Sequence, residues 1–384
     1  MSTANRALYS CFPDERQLQL LRLCLSPDDT LARQSWETWI AATDLDVLEP
    51  ASSRLLPLAF QRLQTLRVTH PELKRLGGTL RHSWASNLTQ RHHLSALLTE
   101  LDLRGIDHLL LKGLPLAFSV YPNPGARPMD DVDLLVPFAR AWETLDLLWA
   151  SGCVPLQSPP KRQPGRPPDE PLHFQHGTGL RTPSGLSLDL HWCALEECSH
   201  PGADTGYWQR RKKLPGPGPA TWQPAPEDQF LHLCVHGLRA SPIGSIRWIA
   251  DIILLHRVHA DTFNWTLLLD EARRRHLVVP LRHAILYLVE TFALPAPADF
   301  LARLRAEPSS WLERLAHRGN IQATVTAQCA ATWLRYKRMT PEKSPPARLL
   351  GLPRFLSSKW GNISYPAVAG HVTRRIFSSL LPRD

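Results

Sequence analysis

The chain has 384 residues, a formal net charge of +9 and a pI near 9.4. That length supports a sizeable core and two or three structural units, and 43% apolar residues with 13 tryptophans is a globular composition rather than a disordered one. No stretch approaches the ~18 uninterrupted apolar residues of a membrane helix, which excludes membrane-spanning functions, and the basic balance favours anionic partners or an Arg-rich solvated surface without choosing among them.

The seven cysteines are scattered and odd in number, so no disulfide framework is implied and a cytoplasmic location is expected. The first eleven residues carry Arg6 but neither an apolar run nor a small-residue cleavage site, which argues against a signal peptide.

Residues 1–104 read as a helical region. Ser26-Pro27-Asp28-Asp29 is a start signal, with Ser26 as N-cap and Pro27 at the first helical position. Helical spacing continues from Leu55 to Leu66 and from Leu73 to Leu103, where Arg104-Gly105 is a natural stop. At Ile106 the pattern changes. Ile106 to Leu111 suits a buried strand, Leu114 to Val120 a helix, Asp131 to Val136 a second strand, and residues 140–150 a helix ended by Gly152.

Residues 157–171 are a Pro- and Arg-rich loop. His173 to His176 and Leu186 to Trp192 read as strands, with Gly177, Gly179 and Pro183-Ser184-Gly185 as turn residues between them. Another loop spans 214–219. Helices are expected from Pro226, from Ser245 to Val258, from Asn264 to His276 and on to about Arg335, before a basic, proline-punctuated tail. The chain thus divides into a helical region (1–104), an α/β core (105–200), a C-terminal helical domain (201–340) and a tail (341–384). The fold class is α+β: a small mixed sheet flanked by helical arms.

The chemistry concentrates in the α/β core. Asp131 and Asp133 lie two apart on a strand, so both carboxylates take one face and can converge on a hard cation such as Mg²⁺, which keeps positions open for substrate phosphates. Asp44-Leu45-Asp46 repeats the spacing but lacks a following core strand and reads as a helix-terminal loop. Lys112-Gly113 sits between strand and helix, where a glycine lets backbone approach a phosphate and the lysine adds a point charge. Arg127 either holds a phosphate oxygen or pairs with Asp130, and Asp130 points away from the metal. Alternation puts Ser187, Asp189 and His191 on one strand face, where Asp189 either joins a metal site, acts as general base or faces water.

His232 and His236 read as packing on a helix, because the Glu of a zinc protease is replaced by Leu233. His191, Cys193, Cys198 and His200 have the wrong spacing for a zinc ribbon. No P-loop, G-x-G-x-x-G or G-x-S-x-G motif occurs.

Leu109-Leu110-Leu111-Lys112-Gly113, Tyr121-Pro122, Arg127 to Val136 and Leu188-Asp189-Leu190-His191-Trp192 resemble the signature of an uncharacterised bacterial nucleotidyltransferase family within the polymerase-β-like superfamily. The resemblance implies a minimal sheet with Asp131, Asp133 and Asp189 as both catalytic acids and metal ligands, two Mg²⁺ ions, and NTP as substrate. NMP would pass to a hydroxyl of a small-molecule, sugar, peptide or protein acceptor, with pyrophosphate leaving; nucleic acid is not favoured as partner. Lys112, Gly113 and Arg127 are then the candidate nucleotide-binding residues. One departure stands out: Lys112-Gly113 occupies the place of the superfamily's Gly-Ser phosphate turn. That leaves a second reading, a catalytically inactive nucleotide- or nucleic-acid-binding regulatory module on the same fold.

Overall fold

The structure is a computed structural model that describes residues 11–380 except 163, 164, 166, 168, 201, 216–219, 241–245, 323, 361 and 362. The expectations for residues 1–10, for most of the 214–219 loop and for a helix start at Ser245 therefore fall outside the described residues. Among the described residues, no helix is long and apolar enough to cross a membrane.

Helix α1 (Glu15–Leu25) opens with a reciprocal cap. The Asp14 side chain accepts from the Gln17 backbone N–H at 2.8 Å, and the Gln17 side chain accepts from the Asp14 N–H at 3.1 Å. Helix α2 (Asp29–Ala41) begins two residues later than Ser26 predicts. Asp28 is the cap, accepting from the Thr30 N–H at 2.8 Å, because a carboxylate suits the positive helix end; Ser26 Oγ bonds only to the Asp28 backbone, accepting from its N–H and donating to its carbonyl. Helices α3 (Leu56–Thr65) and α4 (Leu73–Leu103) follow the spacing closely, and Gly105 stops α4 with φ +62. Asp44-Leu45-Asp46 forms an exposed single turn in which Asp46 pairs with Arg75.

The α/β core consists of β1 (Leu109–Leu111), α5 (Gly113–Ser119), β2 (Val132–Leu135), α6 (Ala141–Ala150), β3 (Val154–Pro155), β4 (Gly177–Arg181) and β5 (Ser187–His191). The strands form a five-stranded sheet in the order β1-β2-β5-β4-β3, with β2 and β5 parallel and the other pairs antiparallel. Strand alternation sorts its two faces. Val132, Leu134, Leu188 and Leu190 pack with Leu94 and Leu98 of α4 and Leu145 and Leu148 of α6, burying one face completely. Asp133, Asp189 and His191 occupy the other.

One strand lies elsewhere than expected. Residues 170–173 make a helical turn, and the strand runs through the glycines from Gly177 to Arg181. Those glycines provide clearance rather than turns. A Cβ at Gly177 would lie 2.5 Å from the Leu190 carbonyl and 3.1 Å from His191 Nδ1, and one at Gly179 would lie 3.2 Å from Asp189 Oδ1. Gly177→Ala is accordingly expected to destabilise the chain by about 1–3 kcal/mol in urea titrations, since the clash is with backbone that cannot rotate away. The turn at Thr182–Gly185 is as expected, closed by Gly185 N–H to Thr182 O at 2.9 Å.

The C-terminal half is helical: α7 (Pro226–Gly237), α8 (Arg247–His259), α9 (Trp265–Arg274), α10 (Val278–Phe292), α11 (Ala298–Ala306), α12 (Trp311–Gln322) and α13 (Val325–Met339). The tail adds α14 (Pro345–Lys359) and α15 (Tyr365–Leu380). The N- and C-terminal arms share one apolar cluster. Leu20, Leu55 and Leu63 belong to it together with Phe230, Ile249 and Leu281. This shared core brings α7 and α8 over the polar face of the sheet.

Candidate active site

The parallel pairing of β2 and β5 sets Asp133 directly opposite Asp189, and β1 sets Leu111 opposite Asp133. Lys112, one residue beyond, reaches back so that its Nζ lies 2.5 Å from Asp133 Oδ1. The same oxygen is 3.0 Å from His191 Nε2. Asp133 is only 4% exposed. Burial alone would raise its carboxyl, but Lys112 and His191 outweigh that and hold it well below the usual carboxylate range.

Asp131 and Asp189 are half-buried and, among the described residues, have no ion-pair partner. Burial, then the charge on Asp133, raises both carboxyls above their ordinary values. The ligand atoms of Asp133, Asp189 and His191 lie within 4.8 Å of one another. Asp131 stands outside that group because it precedes β2 rather than lying in its ladder, yet it lines the same cavity. The carboxylates of Asp133 and Asp189, with that of Asp131 on the same cavity, are oxygen donors of the kind a divalent cation takes. His191, bonded to Asp133, is placed to fix that carboxylate's rotamer.

The cavity holds about 460 Å³ and is walled on the sheet side by Lys112, Gly113, Asp131, Asp133 and Asp189. The facing wall comes from the helical arms: Arg54, and from α7, α8 and their connection His236, Arg239 and Arg247. Arg54 contacts Asp130, and Arg239 pairs with Glu197 at 3.1 Å. Arg247 differs. It donates to the Pro128 carbonyl at 2.6 Å but, among the described residues, has no carboxylate partner. Burial, followed by the neighbouring charge of Arg127, lowers its pKa to about 10. A half-buried cation lining this cavity is free to take an anion.

Gly113 begins α5 and is buried. A Cβ there would meet Met129 Sδ at 3.0 Å and Arg127 Nη1 at 3.1 Å, so the strand-to-helix turn is closely packed on its inner side. Lys112 itself takes φ 49, ψ −102, a conformation that residues with a Cβ rarely adopt.

Arg127 lines the cavity but does not pair with Asp130, as one of its sequence readings had it. It forms a two-pronged bond to Asp251 on α8 (Nε–Oδ1 2.8 Å, Nη2–Oδ2 2.9 Å), and Tyr121 Oη donates to Asp251 Oδ1 at 2.7 Å. Its side chain is thus committed to joining the sheet to the C-terminal arm. Asp130 is exposed, contacts Arg54 and lines the same cavity as the acids, although the sequence reading turned it away from them.

His232 packs as expected, with Nδ1 3.1 Å from Tyr207 Oη, while its neighbour His236 reaches the cavity. Burial depresses the His232 pKa, and the charge of Lys112 is the main cause for His236. Of the residues that sequence reasoning missed, His191 was legible from alternation with Asp189. Arg54, Arg239 and Arg247 carry no local signal, since only tertiary packing brings them to the acids.

A mixed sheet with Asp133 on one strand, Asp131 just before that strand, Asp189 on its parallel neighbour and a lysine-glycine turn beside them is an arrangement of the nucleotidyltransferase type. The chain belongs to the uncharacterised nucleotidyltransferase family, whose model matches residues 51–293. Among solved structures it is similar to an antigenic nucleotidyltransferase-like protein from Paracoccidioides brasiliensis, with 17% identity over 58% of this chain and 94% of that chain and a TM-score of 0.32. No curated protein matches the chain.

Proposed function

We propose that the chain transfers a nucleoside monophosphate from an NTP to a hydroxyl group. The acceptor oxygen bonds to the α-phosphorus, the bond to the bridging α–β oxygen breaks, and pyrophosphate leaves. The observation that carries this reading is a charge arrangement across one cavity. Asp133 and Asp189 on the sheet and Asp131 just before β2 line it, and Arg247, which has no carboxylate partner among the described residues, lines it from α8. Acids without a cation would repel a polyphosphate; with a cation they become its anchor.

Asp131, Asp133 and Asp189 would hold Mg²⁺, which supplies charge neutralisation on the phosphates when bound. Arg247 and Lys112 give the polyphosphate its fixed positive partners, and Gly113 leaves the turn free of a side chain. Asp131 and Asp189, whose carboxyls are raised, are better bases than Asp133 for the acceptor's proton, and Asp189 is assigned that role. Preorganised charge and in-line positioning then suffice for the chemistry.

Incubation with each α-labelled NTP and Mg²⁺ tests the reading, with label sought on the protein, on lysate metabolites and on RNA. NTP binding without label transfer would reduce the chain to a nucleotide-binding module on the same fold. Arg247→Gln should weaken NTP binding about tenfold or more, the worth of a charge-assisted bond, as read by calorimetry. Its melting temperature should stay level or rise, because a half-buried charge with no ion-pair partner among the described residues has gone. A fall in stability with unchanged NTP affinity would give Arg247 a purely structural role.

A further inference from the structure

We propose that Lys112 is the resident counter-ion of the acidic site: it holds Asp133 while no metal is bound, is displaced when a divalent cation arrives, and then takes a phosphate of the nucleotide. This inference rests on the nucleotidyl-transfer reading and adds an order of events to it.

Three observations carry it. First, Lys112 Nζ sits 2.5 Å from Asp133 Oδ1, on the carboxylate at the centre of the acid group, with Asp189 directly opposite on β5. An ammonium and a divalent cation on one carboxylate repel each other, so each excludes the other. The cation also has Asp131 and Asp189 to draw on, whereas Lys112 forms an ion pair, among the described residues, with Asp133 alone, so the cation prevails.

Second, the Lys112 backbone is held in the left-handed half of conformational space at φ 49, where glycine would sit without strain. The lysine is retained at a position whose backbone favours a residue with no side chain, which points to use of the ammonium. Third, the displaced ammonium has a destination. The Lys112 side chain is 16% exposed and lines the cavity that Arg247 faces. Its flexible stem lets a compact point charge move between acid and phosphate without backbone change. Metal binding thereby creates the positive charge that the incoming polyphosphate needs, at the place where the superfamily's Gly-Ser turn is missing.

The test has two arms. In the first, Mn²⁺ binding is measured at pH 8 by electron paramagnetic resonance for the intact chain, Lys112→Met and Lys112→Arg. Removing the competing ammonium should tighten Mn²⁺ about tenfold in Lys112→Met, with Lys112→Arg close to the parent. In the second, inorganic tripolyphosphate is titrated in EDTA into the intact chain, Asp133→Asn and Asp189→Asn. Asp133→Asn frees Lys112 and should bind about tenfold more tightly than the parent. Asp189→Asn removes an equal charge without freeing the lysine and should gain clearly less.

Equal Mn²⁺ affinity with and without the lysine, or equal gains for the two Asn variants, would overturn the proposal and leave Lys112 as a structural ion-pair partner. Should Lys112→Met fail to fold, the second arm decides alone, because its variants keep the lysine. An intact chain that binds no Mn²⁺ at all sinks the metal-dependent reading itself. The tripolyphosphate arm still reports whether Asp133 restrains Lys112.

Discussion

Asp133→Asn is expected to lower nucleotidyl transfer by about 10³-fold or more while the chain stays folded, because a metal-anchoring carboxylate supplies several kcal/mol of charge stabilisation. Asparagine keeps the shape but not the charge that holds Lys112, whose partly exposed side chain can turn to the cavity, so the loss should appear in turnover rather than in folding. Asp131→Asn should also abolish measurable transfer, although its side chain stands outside the tight group of Asp133, Asp189 and His191. The informative control is Asp46→Asn. Asp44-Leu45-Asp46 has the same spacing as Asp131-Val132-Asp133, but it lies on an exposed turn against Arg75. Label transfer from α-labelled NTP, with circular dichroism as the folding check, separates the two pairs. Unchanged transfer in both Asp131→Asn and Asp133→Asn would end the enzymatic reading.

The contrast between those two pairs shows how far the sequence could be read. Asp131-Val132-Asp133 was legible because Leu134, Leu135 and Val136 follow it, and a run of that kind must be buried in a core strand. Burial of the strand fixes the face its acids take, and pairing with β5 then brings in Asp189. Long periodic segments such as α4 were legible to within a residue or two, for the same reason of unambiguous pattern. The strand through Gly177 and Gly179 was not. Glycine there serves the close approach of His191 and Asp189, a need that exists only once β4 and β5 are paired. The cationic wall was hidden for a related reason. Arg54 on one side, and Arg239 and Arg247 on the other, lie far from the acids in the chain, and the shared core of the two helical arms brings them there. Arg127 shows the opposite error. Its nearness in sequence to Asp130 and Asp131 suggested a local partner, yet an arginine this deeply buried needs a bidentate acid, and Asp251 on α8 provides it.

That pair carries the largest expected effect on stability. Arg127 and Asp251 are 4% and 3% exposed, and Tyr121 completes the carboxylate's bonding. Removing one partner strands the other charge in the interior, so Arg127→Met or Asp251→Ala should each cost about 3–5 kcal/mol by urea unfolding. The double variant Arg127→Met/Asp251→Leu should recover part of that loss, because no uncompensated charge remains. Acid should act on the same link. Burial works against ionisation of Asp251, but Arg127 outweighs it and lowers the carboxyl below its ordinary value. The stabilisation is therefore fully present above the unfolded-state carboxylate pKa and is lost as the pH falls through the lower folded value. The Asp251→Ala variant has already lost this contribution, so its melting temperature should fall less steeply with acid than that of the parent. Because the pair joins the loop before β2 to α8, which carries Arg247, the same substitution should also loosen the cationic wall. NTP affinity in Asp251→Ala should then drop at neutral pH even below its melting temperature. Parallel acid-unfolding curves for parent and variant would show that the pair contributes no pH-dependent stability.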